Sequence, residues 1–390
     1  MLARTDPLKG VSARTFAARD LTDADADAWY ALCAQHEFYD SALLKPAFAK
    51  SIGEARNDAE VTFIEREGRL IAVLAYHRRP GAFGRPLGIP FSDYSSPIVT
   101  ETTNLTLGEI ISLAGLSAWR SDTLVDPWQT LVDPAIPSNE SHVIRLKVDE
   151  SPEDYLEARR ALHAKRFKNF RRLERQLIGE GSDLQLKWGK PTPETMAPII
   201  ERKSEQFLQS GLVDLTQTDQ SRKILDQISQ SGFVTSLWWD DDLIAGHFGF
   251  RDGVAFHPWI ASYNPDYAAY SPGNIFLKHI ILSMPEMGIE CYDLAGGHDH
   301  YKKYFANSSR PSYPAAVTCG GFNGQVQKLS QTVWSKLGSN REGSAVGRLQ
   351  RRLDHIAVSE SRTIPRLREV ARAVRKRGFS RPTSNPHDQG

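Results

Sequence analysis

Cysteine is scarce in this chain: only Cys33, Cys291 and Cys319 occur among 390 residues, and no two stand in a CxxC spacing. Three widely separated cysteines cannot make a complete disulfide framework, so a secreted, disulfide-dependent domain is not the expected class. A reducing compartment is the simplest interpretation.

Long apolar runs and net charge are lacking as well. LIAVLAY at 70–76 has the length of a strand, far below the roughly 18 residues of a membrane helix. The start MLARTDPLKGVSARTF has no continuous apolar core of a secretory signal. A net charge of +1 argues against a dedicated nucleic-acid binder. We expect a cytoplasmic protein, and peripheral contact with a membrane stays open.

The order of predicted elements occurs twice along the chain. Two helices, a strand pair turning at Glu67-Gly68, a helix and two short strands make the first round. From Leu184 a strand, two helices, a strand pair turning at Asp240–Asp242, a strand, a helix and a strand follow. We therefore predict an α/β fold with mixed sheets in two domains. The predicted parts are a first domain at 18–149, a linking helix at 150–180, a second domain at 181–325 and a basic tail, helical or disordered, at 326–390.

The predicted linking helix is strongly basic. It begins at Ser151-Pro152 and ends at Gly179, and between Arg159 and Arg175 it has eight Lys and Arg against one acid, Glu174. Like charges at helical spacing repel each other, so this face is either simply solvated or lies beside something anionic.

Polar groups converge between His257 and Phe305. This stretch predicts a strand, a helix that opens at Ser271-Pro272-Gly273, a second strand ending at Asp293 and a further helix start. Glycine at a helix start lets a phosphate approach the free N–H groups, although Ser271 could equally be an ordinary N-cap.

The runs SYNPDYAAYSPGNIFLKHII and YDLAGGHDHYKKYFAN, with the basic helix KRFKNFRRLERQL before them, resemble the FemAB-like branch of the GNAT superfamily. More closely, they resemble the group called CelD-like or BioF-like acetyltransferases. The resemblance covers about 20–320, most strongly 150–310. It implies tandem GNAT-like domains, the second catalytic and the first degenerate. It also implies acetyl-CoA or another acyl-CoA as co-substrate, without a metal. The implied acceptor is an amine or hydroxyl of a sugar or cell-envelope precursor, such as one of an exopolysaccharide.

The donor site expected under this resemblance is the start of the helix after the first strand. Its predicted residues are Ser271, Pro272, Gly273, Asn274 and Lys278. Free N–H groups and the helix dipole would hold the CoA pyrophosphate there.

The predicted catalytic cluster is Asp293, His298, Asp299, Tyr301 and Lys302. Burial could raise the pKa of Asp293 and make it a general base, or its carboxylate could only shape the Gly296-Gly297 turn. Asp299 could be a helix cap. In the GNAT fold a tyrosine near Tyr301 can protonate the leaving thiolate. Lys302 could stabilise an oxyanion or be a surface lysine. The HDH sequence at 298–300 is too short to predict a metal site.

Acceptor contacts are predicted where the two domains meet. Lys165, Asn169 and Arg172 of the basic helix could form a positive wall for an anionic acceptor or for CoA phosphates. Asp93 and Tyr94 could form an acceptor-binding loop, or only a capped turn. His257 could line the same pocket.

The tail adds further positive charge, with twelve Lys and Arg against five Asp and Glu from Arg341 onward. It could touch an anionic membrane or a polysaccharide-synthesis machine, and a solvated tail is the default. Two other functions stay open: an aminoacyl-tRNA-dependent transferase of the FemAB type, with RNA on the basic helix, and a non-catalytic scaffold of a polysaccharide-synthesis complex.

Overall fold

Thirteen strands of one mixed sheet are present in the computed structural model, which describes residues 7–136, 138–179, 184–209, 214–296, 301–321 and 325. The strands are β1 (Val11–Ala17), β2 (Ala59–Arg66), β3 (Arg69–Arg79), β4 (Phe83–Pro86), β5 (Ile98–Val99), β6 (Ala118–Leu124), β7 (Asn139–Arg145), β8 (Leu184–Gly189), β9 (Phe233–Trp239), β10 (Asp242–Asp252), β11 (Ala255–Tyr263), β12 (Cys291–Asp293) and β13 (Ser308–Thr318). The α-helices are α1 (Asp23–Cys33), α2 (Pro46–Ala55), α3 (Leu107–Leu113), α4 (Pro152–Leu162), α5 (Ala164–Ile178), α6 (Pro193–Gln209), α7 (Asp219–Ser231), α8 (Pro272–Met287) and α9 (Lys302–Phe305).

The predicted hairpin turn at Glu67-Gly68 is confirmed. It joins antiparallel β2 and β3, and both residues have positive φ, 52° and 77°. Two positive φ values in a two-residue loop match the twist of the flanking strands, and glycine adopts such a value without strain. The β1 strand lies beside β2 at the sheet edge and was not predicted, because its largely exposed side chains show no apolar alternation.

The two halves of the sheet repeat one pattern. In the first half β1, β2, β3 and β4 are antiparallel neighbours and β4 pairs with β6 in parallel. In the second half β8, β9, β10 and β11 are antiparallel neighbours and β11 pairs with β12 in parallel. The duplicated, tandem mixed α/β fold predicted from the element order is therefore present.

The last strand of each half lies in the other half. β7 follows β6 in sequence but pairs with β12, whereas β13 follows β12 but pairs with β6 through residues 313–318. Residues 308–312 of β13 pair with β7 and make the sheet continuous. The two halves are consequently joined by backbone hydrogen bonds as well as by side chains.

Apolar packing also crosses between the halves. The ring of Phe48 in α2 lies 5.4 Å from that of Phe250 and 5.3 Å from that of Trp259, and Phe91 stacks on Trp259 at 5.8 Å. One buried cluster thus contains side chains of both halves. This packing fixes the first half against β10 and β11, the strands that build the site described below.

The prediction of a single linking helix at 150–180 is wrong in one respect. The structure has two helices there, α4 and α5. His163 has φ −132° and ψ 39°, outside the helical region, and separates α4 from α5. The bend brings both helices onto Phe305: Tyr155 of α4 donates to its carbonyl at 2.6 Å, and Phe170 of α5 stacks on its ring at 5.7 Å. A straight helix over this length would carry one of these side chains away from Phe305.

Across the described ranges, we find no helix that combines the length and the apolar character needed to cross a bilayer. The basic tail, predicted at 326–390, lies outside the described residues.

Candidate active site

A cleft opens where β11 and β12, the parallel strands of the second half, separate. β11 and β12 pair only at Ala255–Cys291 and Phe256–Tyr292, after which β12 ends while β11 continues to Tyr263. A bulge at Trp259 bends β11 at the same level. The resulting cleft has a volume of about 430 Å³ and lies at the carboxyl ends of the two strands, where α/β sheets usually bind their ligands.

The first turn of α8 faces this cleft through Pro272, Gly273 and Asn274. Ser271 precedes it in a left-handed conformation (φ 53°), and its side chain makes no capping hydrogen bond to the described residues. Ser271 is therefore not an ordinary side-chain N-cap of α8. Pro272 has no N–H and the Asn274 N–H donates to the Ser271 carbonyl at 3.0 Å, so this helix start offers an anionic group in the cleft the Gly273 N–H and a partial positive charge.

Gly273 lies against the phenol ring of Tyr301. A Cβ at this position would be 3.2 Å from Tyr301 Cζ and 3.3 Å from its hydroxyl oxygen. A side chain at this position would push the tyrosine ring away by at least a few tenths of an ångström, so the glycine allows the hydroxyl to lie close beside the helix start. The structure therefore brings together two residues that were predicted for different tasks, donor binding and catalysis.

The equivalent helix of the first half is closed to anions. α3 begins with a capping box in which Thr106 Oγ1 accepts from the Glu109 N–H at 3.2 Å and Glu109 Oε2 accepts from the Thr106 N–H at 2.7 Å. A carboxylate already lies at this helix start and would repel a phosphate. This difference favours the second half as the one that binds a ligand.

Several polar residues that sequence reasoning missed also line the cleft. They are Lys203 and Gln206 of α6, His247 of β10 and Ser262 of β11. The side-chain atoms Trp259 Nε1, Ser262 Oγ and Asn274 Oδ1 are buried in its wall and have no hydrogen-bond partner among the described residues. Buried polar atoms are nearly always paired, so these three indicate a ligand with both donors and acceptors.

His247 places a neutral imidazole in the cleft wall. Its Nδ1 lies 2.8 Å from the Tyr292 hydroxyl, which in turn lies 2.9 Å from Thr235 Oγ1. Burial, with help from the charges of Lys302 and Lys203, lowers the pKa of His247 to about 3. The sequence does not indicate that His247 faces a cleft. This side chain lies on the inner strand β10 and becomes accessible to a ligand only where β11 and β12 separate.

The prediction that Asp293 could be a general base with a raised pKa is wrong, because the pKa of Asp293 is lowered. Burial alone would raise the pKa of Asp293, but Arg310 and His257 hold it well below its ordinary value. Its carboxylate accepts from the Tyr94 hydroxyl at 3.0 Å and from the Ala295 N–H at 2.9 Å, and it pairs with Arg310. Asp293 does not line the cleft and stays ionised, so it shapes the turn after β12 rather than acting as a base.

His257 and Tyr94 lie behind the cleft wall instead of in it. Both are buried, and Nε2 of His257 is 2.8 Å from Asp93 Oδ2. Burial alone would lower the pKa of His257, but Asp293 and Asp93 raise it to about 9. Of the three predicted acceptor contacts in this region, only Asp93 lines the cleft.

Lys278 and the basic-helix residues are also placed away from the cleft. Lys278 Nζ is held 2.8 Å from Glu174 Oε2, and Nε2 of His279 is 2.8 Å from the other carboxylate oxygen. Lys165, Asn169 and Arg172 are exposed on α5 and are not among the cleft-lining residues, and Arg172 donates to Asn169 Oδ1 at 2.9 Å. The reason is the orientation of α5, which turns Phe167 and Leu173 inward and its cations outward.

Lys302, at the start of α9, lines the cleft and donates to the Gly296 carbonyl at 3.2 Å. His298 and Asp299 lie outside the described residues. Within the described ranges, no group of three or more His, Cys, Asp or Glu side chains is arranged to hold a metal ion. The predicted absence of a metal remains a prediction.

The comparisons with known proteins point to the same part of the chain. Residues 164–303, which begin with α5 and include every described cleft-lining residue except Asp93, match the family model described as acetyltransferase (GNAT) domain. No curated protein sequence matches the chain.

Among solved structures, FemX is similar with a TM-score of 0.50 at 11% identity, over 81% of this chain and 99% of that chain. A tandem GNAT protein from the clavulanic acid biosynthesis pathway is similar with a TM-score of 0.42 at 11% identity, over 80% and 99%. The C-terminal domain (DUF2156) of a protein assigned as a lysylphosphatidylglycerol synthetase from Agrobacterium fabrum has a TM-score of 0.42 at 13% identity, over 80% and 96%.

The family match and the FemX fold confirm the resemblance that the sequence motifs suggested. Residues 164–303 therefore match a GNAT acetyltransferase domain, and the chain has a fold similar to that of FemX.

Proposed function

We propose that this protein is an acyltransferase that moves an acetyl or other acyl group from a CoA thioester to an amine or hydroxyl. The observation that carries the proposal is the uncapped start of α8, which faces a 430 Å³ cleft between two parting strands. A cationic ligand would be repelled by the dipole of that helix start and a neutral one would gain little from it, whereas a pyrophosphate would gain both hydrogen bonds and a favourable dipole.

The charges around the cleft support the same donor. Lys203 and Lys302 both line it, and each would attract the phosphates of CoA. The buried atoms Trp259 Nε1 and Asn274 Oδ1 offer one donor and one acceptor, which suits the amide groups of the pantetheine arm. Together these features fit a long, anionic, amide-containing ligand.

The transfer itself would be a direct displacement. The attacking nitrogen or oxygen forms a bond to the thioester carbon, the C–S bond breaks, and one proton from the nucleophile ends on the CoA sulfur. Tyr301 is the candidate to deliver that proton, because its hydroxyl lies at the start of α8. An acyl-cysteine intermediate is disfavoured: burial raises the pKa of Cys291 to about 12, and no cysteine is among the described cleft-lining residues.

The acceptor class rests on the resemblance alone. FemAB-like and CelD-like motifs favour a sugar or cell-envelope precursor, and we include that acceptor in the proposal. The exposed cations of α5, which lie outside the cleft, are available to an anionic membrane, an acceptor or a polysaccharide-synthesis partner.

Calorimetry with acetyl-CoA tests the donor. We expect a Kd of roughly micromolar order for the wild type, and at least about 10-fold weaker binding for Gly273→Val, because the new side chain displaces Tyr301. Gly320→Val is the matched control: a Cβ at Gly320 meets nothing within 4 Å, so acetyl-CoA affinity should not change.

Other outcomes identify the alternatives. Absence of acetyl-CoA binding together with salt-dependent tRNA binding would favour an aminoacyl-tRNA-dependent transferase. Absence of both would favour a non-catalytic scaffold.

A further inference from the structure

A chain of alternating charges runs from the cleft into the interior between the two halves. It begins at Asp93, whose side chain is 45% exposed and lines the cleft. Nε2 of His257 lies 2.8 Å from Asp93 Oδ2, and Nδ1 of the same ring lies 3.6 Å from Asp293 Oδ2. Arg310 of β13 pairs with the Asp293 carboxylate from the other side. His257, Asp293 and Arg310 are each at most 1% exposed at the side chain.

The far end of this chain is anchored in the first half. Arg310 pairs with Asp40 and donates through Nε to the Phe38 carbonyl at 2.9 Å. Arg145 of β7 pairs with the same Asp40. Three acids and three bases therefore alternate without excess charge: Asp93, His257, Asp293, Arg310, Asp40 and Arg145.

Holding the halves together does not require this charge array. Buried ion pairs lose about as much in desolvation as they gain in attraction, and apolar side chains of similar size often stabilise as well. The neighbouring aromatic cluster of Phe48, Phe250 and Trp259 already packs the halves together. What the charges add is an anchored carboxylate in the cleft, with Oδ2 of Asp93 held by an imidazolium and Oδ1 not bonded by any described residue.

We propose that Asp93, supplied by the first half, contacts the nucleophile of the acceptor in the cleft of the second half, and that His257 is its positioning residue. This inference rests on the proposed acyl transfer and gives the first half a part in it. Asp93 accepts a hydrogen bond from the attacking N–H or O–H. The proton passes to the Asp93 carboxylate and from there to solvent. Tyr301 gives its own proton to the CoA sulfur as the C–S bond breaks and is reprotonated from solvent, so that both side chains are regenerated.

His257 acts through Asp93 in this arrangement and does not touch the substrate. The Asp293–Arg310 pair keeps the imidazole charged and fixed, since an isolated imidazolium would not survive such burial. The role is one of orientation: a misplacement of a reacting group by about 1 Å costs up to about 100-fold in rate.

A double-mutant cycle tests the proposal on the full chain. Thiol release from acetyl-CoA is followed with glucosamine as an added amine and with water alone. We expect Asp93→Asn and His257→Leu each to lower kcat about 10- to 100-fold while the KM for acetyl-CoA changes less than about twofold. The double variant should be no slower than Asp93→Asn, because His257 acts only through that carboxylate. His257→Gln, which keeps a side-chain N–H toward Asp93, should recover part of the loss.

Two results would overturn the proposal. One is wild-type kcat in Asp93→Asn, a substitution at a position whose side chain is 45% exposed. The other is a double variant whose loss equals the product of the single losses, which is the pattern of a merely structural His257. If His257→Leu melts too low to assay, the same cycle is run with His257→Gln. Failure of the wild type to bind acetyl-CoA is a separate outcome, seen before any of these variants is made, and it refutes the proposed function itself.

Discussion

At the scale of single residues, the buried imidazolium of His257 couples folding to pH. Its pKa is raised to about 9 in the folded protein, against an ordinary value near 6.5, by Asp293 and Asp93 acting against burial. The folded state therefore keeps this proton at pH values where the unfolded chain has lost it. The stabilisation is complete below about pH 6.5 and is lost as the pH rises through about 9.

We predict that the free energy of unfolding falls between pH 6.5 and 9 in the wild type and falls less steeply in His257→Gln. Urea denaturation at several pH values in this range measures both slopes. His142→Gln on β7 is a matched control, because burial lowers the pKa of His142 and confines its contribution to more acidic pH. Parallel slopes in the wild type and His257→Gln would show that His257 is neutral in the folded protein.

Short-range patterns predicted the helix start that lines the cleft, and contacts between residues far apart in sequence determined the rest of the site. Ser271 to Asn274 stand together in sequence, so a helix start could be read directly. Asp93 meets His257 across 164 positions of sequence, and nothing local to either residue indicates the other. For Asp293, the sequence showed an acid at the end of an apolar strand but not Arg310, whose charge reverses the expected direction of the pKa shift.

At the scale of elements, a single acidic side chain, Glu174, attaches the basic helix α5 to α8. Glu174 is buried and accepts from Lys278 at 2.8 Å and from His279 at 2.8 Å, both on α8. The exposed Lys and Arg side chains of α5 do not pair with the Glu174 carboxylate. The composition of α5 predicted a basic face correctly, but which face packs inward and the break at His163 depend on α8 and Phe305, and neither is visible in the helix itself.

We predict that Glu174→Gln lowers the free energy of unfolding by about 1–3 kcal/mol, since it leaves a half-buried cation without its counter-charge. Glu157→Gln is the control: Glu157 pairs with Arg160 on the exposed part of α4, where an ion pair contributes at most about 1 kcal/mol. Chemical denaturation of the two variants gives the comparison. Equal, small losses would mean that α5 is held by its apolar face alone.

At the scale of the whole molecule, the exchanged strands make the two halves mutually dependent. The repeat of element order predicted two similar units, and the repeated sheet pattern bears this out. Strand partners across the halves could not be predicted, because β7 and β13 follow equivalent strands and either half could accept either of them. Only the assembled sheet shows that each completes the other half.

This exchange predicts that neither half folds alone. Without residues 1–149, β12 loses its partner β7, Arg310 loses Asp40 and the Asp293 carboxylate loses the Tyr94 hydroxyl. Arg310 keeps Asp293 but loses its second carboxylate, and removing one partner from a buried ion-pair network typically costs about 3–5 kcal/mol. We expect residues 150–390 expressed alone to show no cooperative thermal transition by circular dichroism.

The matched control is the same chain cut between Asp149 and Glu150, in the segment that joins β7 to α4, with both pieces expressed together. This cut removes no strand, so the two pieces should assemble and melt in a single transition close to that of the intact protein. A cooperative transition in residues 150–390 alone would contradict the argument, because the second half would then have to complete its sheet without β7.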